Sequence, residues 1–579
     1  MEAARVIGVV GAGTMGSGIA QLAARSGARA LLQDPLQEAL EAGVRRAHKG
    51  LTREAEKGLL ADRDAQAAAS RVEPVAELTD LAACDLVIEA APERLELKRQ
   101  LFASLAGIVG PECVLASNTS SLPITAIAAA VDGPERVVGM HFFNPAPLMR
   151  LLEVVAGALS DERSLQLAQA TGEAMGKDTI RATDGPGFLV NRCNRPFGLE
   201  ALRLLAERIA DVETIDRIVR MGGGFKMGPF ELSDLVGVDT GLAVSESFYE
   251  LSFGEPRWRP SPIQAQRVAA GLHGRKSGRG YYDYSREPYR PADPAPPESV
   301  AGEGTVAILG DRTVAEQLRE AAERAGYTVS SQRPSPGELT ALIVECDPHR
   351  GGSGGSRPAF EPEARQARPS PPIPLQASPP EPLPTSSPDS SRPAAPLPLR
   401  PPPPEPLYSP RLVLCATGSL QALDRDGDAV GFHVLAPLER TNLIELTRGE
   451  RSSPAAVTRA ERFFAALGKH TAWVADAPGL VLGRIVCQLV NESAFALGEG
   501  VGSARDIDTG MTLGLNHPRG PLGWADEIGL DTVLATLDGL WAEYREERYR
   551  AAPRLRELVQ AGRFGRSTGA GFFEYGPAA

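Results

Sequence analysis

The strongest constraint on the fold of this chain is that its second half repeats the first. Residues 184–284 and 476–575 follow one template, with DGPGFLVNR against DAPGLVLGR at the start and GRKSGRGYYDY against GRSTGAGFFEY at the end. Upstream of each copy, FHVLAPLERTNLIELTRG at 432–449 aligns with HFFNPAPLMRLLEVVAG at 141–157. Self-similarity over such a long period predicts a duplicated structural unit.

The first copy opens on a glycine-rich loop. VIGVV at 6–10 fits a strand buried on both faces, and GAGTMG follows it directly and opens a helix. In this context the first glycine permits a tight turn, the second lets the backbone approach a pyrophosphate, and the third allows close packing of helix and strand. The helix N-terminus would face the negative charge. We therefore expect a dinucleotide to contact Gly11, Gly13, Thr14, Met15 and Gly16.

Asp34 ends the second predicted strand, at 29–33. A carboxylate there accepts hydrogen bonds from the adenine ribose and repels a 2′-phosphate, so the sequence predicts NAD rather than NADP. Further apolar strands at 85–90 and 113–117 alternate with helical stretches. This alternation predicts an α/β Rossmann domain with a doubly wound, mostly parallel sheet. An all-α domain follows, and the repeat predicts a second, degenerate copy of both.

The segment HFFNPAPLMRLLE places His141 and Glu153 twelve residues apart, around a proline-broken turn. Such a segment can fold back so that the acid orients the base, which a dehydrogenase needs when it takes a hydroxyl proton as hydride leaves. A histidine in isolation is more often a surface or satisfied core residue. Ser120 lies in NTSS at a strand end, where hydroxyl groups often cap a helix, and both roles can coexist.

Five motifs in fixed order resemble the NAD-dependent 3-hydroxyacyl-CoA dehydrogenases: VIGVVGAGTMGSGIA, VIEAAPERLELK, SNTSSLPI, HFFNPAPLMRLLEVV and DGPGFLVNR. The likeness extends through about residue 284. It implies that His141 is the general base and Glu153 its partner, and that Ser120 and Asn191 hydrogen-bond the substrate oxygens. The chemistry implied is oxidation of an (S)-3-hydroxyacyl-CoA to a 3-oxoacyl-CoA with NAD.

The same resemblance implies further contacts to the cofactor. Glu93 and Lys98, in ERLELK, and Lys276, in GRKSGRGYYDY, match residues near NAD in that family, as do Ser120 and Asn144. For Glu93 and Lys98 an exposed ion pair on a helix is the alternative.

A stripe of basic residues follows Asp34 on a predicted helix. The residues are three or four positions apart and so share one face: Arg46, Lys49, Arg53 and Lys57. They could meet the phosphates of CoA, or form a solvated charged face. The resemblance favours Lys57, with Arg53 and Ser120 also assigned to the acyl-CoA, whereas Gly50 stands where some relatives make a contact.

The second copy lacks the parts that hold cofactor and substrate. His433 and Glu445 keep the spacing of twelve, but no GxGxxG follows VAILGD at 306–311 and no SNTSS precedes His433. Gly483 replaces the counterpart of Asn191, and Ser567 that of Lys276. We therefore expect this copy to be non-catalytic. Because the helical domain mediates homodimer packing in the family, the two copies predict an internal pseudo-dimer, with a further homo-oligomer possible.

The expected domains are an NAD-binding domain at 1–183, a helical domain at 184–290, a degenerate Rossmann-like unit at 301–475 and a second helical domain at 476–579. Within the third, 21 of the 63 residues from 348 to 410 are proline. This composition cannot form a packed core and predicts a disordered insertion. Its PPPPEP motif could attract an SH3-like partner, but a passive insertion is the favoured interpretation.

Composition excludes several classes of protein. The net charge of −12 and the isoelectric point of about 5.4 argue against a nucleic-acid or anionic-membrane surface. No secretory signal or run of 18 apolar residues occurs, so a cytoplasmic protein is expected. The six cysteines are scattered, without zinc spacing, so no metal site is expected and the thiols should be reduced and mostly buried.

Two other functions remain open at this point. One is a dehydrogenase of the 3-hydroxyisobutyrate or 6-phosphogluconate type, which uses a lysine base, and the other is a non-enzymatic relative like the lens crystallins of this fold. For the leading function, bacterial enzymes with a second partial copy resemble those that oxidise 3-hydroxyadipyl-CoA in phenylacetate breakdown. That acyl-CoA is our first expectation and 3-hydroxybutyryl-CoA the second, although no residue of the sequence decides between them.

Overall fold

The structure is a computed structural model that describes residues 2–295, 297–298, 300–334, 342–347, 409–424 and 426–576. Almost all of the predicted disordered insertion, 348–408, lies outside the described residues. Within the described part of the chain, none of the helices combines the length and apolar character that crossing a bilayer requires. All six cysteines are buried.

The first sheet has eight strands. They are β1 (Val6–Val10), β2 (Arg29–Gln33), β3 (Val72–Val75), β4 (Leu86–Glu89), β5 (Val114–Ser117), β6 (Val137–Phe142), β7 (Leu151–Ala156) and β8 (Asp178–Thr183). Their order is β3-β2-β1-β4-β5-β6-β7-β8, with only β6 and β7 antiparallel. The order reverses between β1 and β4, and ligands of such sheets bind at the carboxyl ends of the strands at this point.

Six helices cover this sheet: α1 (Thr14–Arg25), α2 (Gln37–Glu56), α3 (Asp62–Ala69), α4 (Leu95–Ala106), α5 (Ile124–Ala128) and α6 (Glu162–Ala174). In β1, Ile7 and Val9 pack into the core on one face of the sheet, and Val10 packs into the core on the other. Burial on both faces explains the continuous apolar run of this strand.

The helical region that follows contains α7 (Val190–Ala206), α8 (Val212–Gly223), α9 (Pro229–Val236), α10 (Val238–Leu251) and α11 (Pro262–Ala269). A second sheet is built from β9 (Thr305–Leu309), β10 (Thr328–Ser330), β11 (Leu342–Glu345), β12 (Arg411–Leu414), β13 (Val430–His433), β14 (Leu443–Arg448) and β15 (His470–Trp473). Its helices are α12 (Thr313–Ala325), α13 (Leu420–Leu423) and α14 (Pro454–Ala466). The last helices are α15 (Leu482–Gly498), α16 (Ala504–Leu515), α17 (Pro521–Ile528), α18 (Leu530–Tyr544) and α19 (Pro553–Gln560).

The order of the second sheet, β10-β9-β11-β12-β13-β14-β15, repeats that of the first without a counterpart of β3. Its one antiparallel pair, β13 with β14, matches β6 with β7. The predicted fold class, a Rossmann domain with a helical domain and a degenerate second copy, is confirmed.

The two helical regions pack on each other through α7 and α15. Arg192 on α7 forms ion pairs with Glu492 at 2.9 Å and with Glu499 at 2.6 Å. The counterparts of these residues in the repeat make the same two contacts in the opposite direction, between Arg484 and Glu200 and Glu207. Reciprocal contacts of this kind define an interface with pseudo-twofold symmetry.

Candidate active site

The histidine and the glutamate predicted to act together lie side by side on neighbouring strands. β6 and β7 are antiparallel, and their register places His141 directly opposite Glu153. Nδ1 of His141 lies 2.6 Å from Oε2 of Glu153. The side chain of Glu153 is 0% exposed and that of His141 is 8% exposed. The spacing of twelve in the sequence therefore spans the connection between two neighbouring antiparallel strands, which brings the two side chains opposite each other.

Glu153 is fixed by the start of a helix. Its Oε1 accepts hydrogen bonds from the backbone N–H groups of Leu189 at 3.2 Å and Val190 at 3.0 Å. These N–H groups belong to the first turn of α7, where helix amides have no intrahelical partner and attract a negative charge. Because a carboxylate only accepts, Nδ1 of His141 carries the hydrogen of their mutual bond. Nε2 is then the free basic nitrogen of the ring.

Two aromatic rings hold the imidazole plane. The His141 ring lies 4.5 Å from the ring of Phe143 and 6.1 Å from that of Phe188, measured between centroids. Both residues adjoin the motifs that carry the pair, since Phe143 follows β6 and Phe188 precedes α7. The ring can therefore neither rotate freely nor lose its bond to Glu153 without displacing a neighbour.

Glu93 holds the loop that carries Ser120. Its Oε1 accepts hydrogen bonds from Thr119 Oγ1 at 2.5 Å, Ser121 Oγ at 3.0 Å and the Ser120 N–H at 3.2 Å. Burial by itself raises the pKa of Glu93, but the Thr119 bond and the charge of Lys98 outweigh it, so the pKa lies below its ordinary value. The Glu93 carboxylate therefore stays ionised and positions the loop.

Lys98 is a buried residue and not the exposed helix residue of the alternative interpretation. It is 1% exposed, and its Nζ lies 2.6 Å from Glu89 Oε1 and 3.3 Å from Glu93 Oε2. Ser117 donates to the other oxygen of Glu89 at 2.6 Å. Sequence reasoning missed Glu89 and Ser117, although a carboxylate and a hydroxyl at the ends of two buried strands were a usable signal.

The glycine loop has the shape that a pyrophosphate requires. Gly11 has φ +99°, and a Cβ on it would lie 2.7 Å from the carbonyl oxygen of Ala90. A Cβ on Gly16 would overlap the carbonyl oxygen of Gly11, whereas one on Gly13 would meet no atom within 4 Å. No side chain caps the N-terminus of α1, so its N–H groups face this open space. The loop thus fits NAD, and Thr14 and Met15 lie in its first helical turn.

Asp34 lies at the end of β2, beside the same loop. Its Oδ2 accepts from the Ala12 N–H at 2.8 Å and its Oδ1 from the Leu36 N–H at 3.0 Å. Arg46 also binds this loop, by donating to the Ala12 carbonyl and, at 3.3 Å, to Ser17 Oγ. Arg46 therefore does not belong to the group of basic residues that were predicted to bind the phosphates of CoA.

Asp34→Asn is expected to lower the preference for NAD over NADP, expressed as the ratio of kcat/KM values, by about 10- to 100-fold. The substitution removes the charge that repels a 2′-phosphate and weakens a charge-assisted bond to the ribose, each a change of about 1.5–3 kcal/mol. Steady-state kinetics with both cofactors measure it. Asp62→Asn, at an exposed position of α3, is the control. An unchanged ratio in Asp34→Asn would contradict the assignment.

The remaining cofactor and CoA residues lie at the surface. Arg53 and Lys57, at the end of α2, are exposed and form no ion pair with any described residue, so both are free to meet phosphates. Asn144 is exposed just after β6. Lys276 binds Asp239 at 2.6 Å and lowers the pKa of that carboxyl through this hydrogen bond.

Lys276 also lies against Gly237, since a Cβ there would be 2.9 Å from its Nζ. Its ion pair and hydrogen bonds, within the residues that the structure describes, are all to the helical region. The structure therefore does not bring Lys276 to the glycine loop.

A cavity of about 260 Å³ lies between the Ser120 loop and the first turns of α7. Ser120 and Asn191 line it, and Asn191 directly follows Val190, whose N–H binds Glu153. Its other walls include apolar side chains of α7 and α9, among them Phe197, Leu202 and Phe230, and Leu515 of α16 lines it from the second half of the chain. Two of the predicted substrate residues of the first half, Ser120 and Asn191, therefore line one cavity.

The second copy keeps the fold of this site and fills it. His433 lies opposite Glu445 in register, but its Nδ1 is 3.7 Å from Oε1 of Glu445 and has no hydrogen-bond partner among the described residues. The ring is 1% exposed and occupies the space beside Gly483, where a Cβ would lie within 2.5 Å of it. At the strand end, the Asp347 carboxylate accepts from the Asp311 N–H at 3.1 Å.

Arg312 completes this arrangement with an ion pair to Asp347 at 2.6 Å. The Asp311 N–H corresponds to that of Ala12, which donates to Asp34 in the first copy, so a carboxylate binds this loop N–H group in both copies. The difference from the first copy is that no GxGxxG turn follows β9 to hold a pyrophosphate.

Two family models each match the chain twice. The model of the 3-hydroxyacyl-CoA dehydrogenase NAD binding domain matches residues 6–185 and 415–477, and that of the C-terminal domain matches 187–284 and 479–575. The chain belongs to the 3-hydroxyacyl-CoA dehydrogenase family. It is an NAD-dependent oxidoreductase that oxidises 3-hydroxyacyl-CoA, as the resemblance of its motifs implied. This membership decides against the 3-hydroxyisobutyrate-type and crystallin-like alternatives.

Relatives of this dehydrogenase are of two lengths. It is similar to the 3-hydroxyadipyl-CoA dehydrogenase of Escherichia coli (strain K12), with 34% identity over 562 residues that cover 96% of this chain and 98% of the relative. It is also similar to the crystal structure of 3-hydroxybutyryl-CoA dehydrogenase from Escherichia coli K12, with a TM-score of 0.75, 32% identity and coverage of 96% and 99%. The probable 3-hydroxybutyryl-CoA dehydrogenase of Deinococcus radiodurans is 44% identical over 277 residues, which are 48% of this chain and 99% of that protein.

Proposed function

We propose that this dehydrogenase oxidises 3-hydroxyadipyl-CoA to 3-oxoadipyl-CoA at a single site in its first half, with His141 as the general base. The observation that carries the site assignment is the 2.6 Å bond between His141 and Glu153, with Glu153 anchored on the start of α7. The choice of acyl-CoA is supported by likeness over nearly the whole chain to a relative named for that substrate.

The proposed proton transfer follows from the tautomer of the ring. NAD held at the glycine loop would supply the acceptor for the hydride that leaves C3 of the substrate. Nε2 of His141 takes the proton of the 3-hydroxyl, because Nδ1 already donates to Glu153. The Glu153 carboxylate stabilises the imidazolium that forms. Ser120 and Asn191, which line one cavity, hydrogen-bond the substrate oxygens and hold C3 in place.

Binding of the cofactor and of CoA is assigned to different surfaces. Gly11, Gly13 and Gly16, with Thr14 and Met15, hold the pyrophosphate of NAD at the start of α1, and Asp34 holds the ribose. Glu93, Lys98, Ser120 and Asn144 complete the cofactor side at the strand ends, with Lys276 on the helical side. Arg53 and Lys57, which have no ion pair among the described residues, bind the CoA phosphates.

The second half of the chain is proposed to act as a structural partner. The buried His433, whose Nδ1 has no hydrogen-bond partner among the described residues, and the missing GxGxxG turn support a copy that binds neither substrate nor cofactor. The reciprocal ion pairs of α7 and α15 instead support an internal pseudo-dimer, in which one chain supplies both sides of the interface.

The substrate proposal predicts that kcat/KM is at least about tenfold higher with 3-hydroxyadipyl-CoA than with 3-hydroxybutyryl-CoA. A tenfold ratio corresponds to about 1.4 kcal/mol, less than one buried charge-assisted hydrogen bond supplies. Formation of NADH, followed by its absorbance, measures both rates. His141→Ala protein purified in parallel corrects for contaminating dehydrogenases. An equal or higher value with 3-hydroxybutyryl-CoA would contradict the choice of substrate.

A further inference from the structure

The cavity lined by Ser120 and Asn191 contains a charged side chain that the proposed reaction does not use. Arg195, on α7, is the only charged residue among the described residues that line it. Its neighbours in the wall include Phe197, Leu202 and Phe230. An apolar acyl chain would need no cation here, so the presence of Arg195 requires an explanation.

Arg195 has no counter-charge within the described part of the chain. Its Nε donates to the carbonyl oxygen of Asn191 at 3.3 Å, and its guanidinium lies 4.9 Å from the centre of the Phe248 ring. No described carboxylate lies within ion-pair distance. Arg192, less than one turn earlier, binds Glu492 and Glu499. A guanidinium carries five N–H donors, so Arg195 retains donors for an anion.

The cation is held in a poorly solvated place. Arg195 is half-buried, and burial lowers the pKa of Arg195 to about 10, so it still carries its charge at neutral pH. A partly buried charge without a partner costs free energy that an anionic ligand would recover. Carboxylates match the planar donor pattern of a guanidinium in two-point contacts.

Arg195 also lies at a suitable distance along the substrate. It follows Asn191 by four residues on α7, so both side chains lie on the same face, about one helical turn of 5.4 Å apart. Asn191 is proposed to bind the oxygens near the reacting carbon. In 3-hydroxyadipyl-CoA the terminal carboxylate lies three carbons beyond that carbon, which is a similar separation.

The second half of the chain fixes this part of α7. His517 Nε2 lies 3.1 Å from Oδ1 of Asn194, the residue next to Arg195, and Leu515 lines the same cavity. The second half of the chain therefore contacts the helix turn that carries Arg195 and contributes to the same cavity.

We propose that Arg195 binds the terminal carboxylate of a dicarboxylic 3-hydroxyacyl-CoA and so determines the specificity of the enzyme for such substrates. This inference rests on the proposed function and names the residue that recognises the distal end of its substrate. Monocarboxylic acyl chains would leave the Arg195 guanidinium without an anion, and their terminal methyl group would face a charge.

The test compares 3-hydroxyadipyl-CoA with 3-hydroxyhexanoyl-CoA, which has the same length but a methyl end. We expect Arg195→Met to lower the ratio of their kcat/KM values by about 10- to 100-fold relative to the wild type. Methionine keeps an apolar contact with Phe248 and removes the charge. Arg259→Met, at an exposed position of the same helical region, is the matched control and should leave the ratio unchanged.

The outcomes separate the two proposals. A wild type that prefers 3-hydroxyhexanoyl-CoA would overturn the proposed substrate, whatever the variant does. A wild type that prefers 3-hydroxyadipyl-CoA, with the same preference in Arg195→Met, would overturn the role of Arg195 alone. If Arg195→Met is inactive with both substrates, Arg195→Lys decides: a retained preference supports recognition by charge, and inactivity with both substrates shows that Arg195 only packs against Phe248.

Discussion

His141→Ala is expected to lower kcat for the oxidation of 3-hydroxyacyl-CoA by about 10²- to 10⁴-fold, which is the usual contribution of a general base. The dissociation constant of NADH should change by less than about threefold, because the glycine loop and Asp34 lie on other elements of the sheet. Steady-state kinetics give kcat, and titration of NADH fluorescence gives the binding constant. A kcat within about threefold of the wild type would exclude His141 as the base.

Glu153→Gln is expected to have a loss of kcat of similar order for a related reason. A glutamine oxygen can still accept from the N–H groups of Leu189 and Val190, so the start of α7 should keep its structure. Its amide group carries no charge and cannot stabilise the imidazolium. Glu445→Gln, at the corresponding position of the second sheet, is the matched control. It should leave kcat unchanged, since no reaction is proposed in that half.

Arg484→Met is expected to lower the free energy of unfolding by about 3–5 kcal/mol, because it leaves buried carboxylates without their cation. Arg484 is 0% exposed and lies within 2.6 Å of both Glu200 and Glu207. It also donates to the hydroxyl of Tyr549 at 2.8 Å. Urea denaturation followed by circular dichroism measures the change.

Two variants control for other effects of the Arg484 substitution. Arg45→Met removes an exposed arginine 3.6 Å from a glutamate on the same helix and should cost less than about 1 kcal/mol. Arg484→Met combined with Glu200→Leu should be more stable than Arg484→Met alone, since one uncompensated carboxylate is removed. A loss below about 1 kcal/mol in Arg484→Met would mean that these ion pairs do not hold the helical regions together.

The repeat and the glycine loop made much of this fold predictable. The pattern of apolar strands alternating with helices predicted a doubly wound, mostly parallel sheet, and the duplicated motifs predicted a second, degenerate unit of the same kind. The loop could be recognised because Gly11 and Gly16 stand where a Cβ would overlap a backbone carbonyl oxygen, while Gly13 leaves open space for a ligand. His141 and Glu153 could be paired from the sequence because two adjacent strands bring them together in register.

Other parts of the site depend on contacts between segments far apart in the chain. Glu153 is anchored on α7, and the Ser120 loop is anchored on Glu93. Nothing in the sequence of either segment indicates which partner it contacts. Arg195 was missed because an arginine on a helix usually has a carboxylate or solvent as its partner. Only the structure shows that this one is half-buried and has no carboxylate within ion-pair distance among the described residues.

In a homodimer, every substitution at the interface is present in both subunits. In this chain the two sides of the interface are different segments, so each can change by itself. Leu515 lines the cavity that contains Ser120, Asn191 and Arg195, whereas its repeat counterpart, Gly223, packs closely against Leu482. One site can therefore be reshaped from across the interface while its reacting groups stay untouched. Substitutions in the non-catalytic second half can thus change which acyl chains the first half accepts.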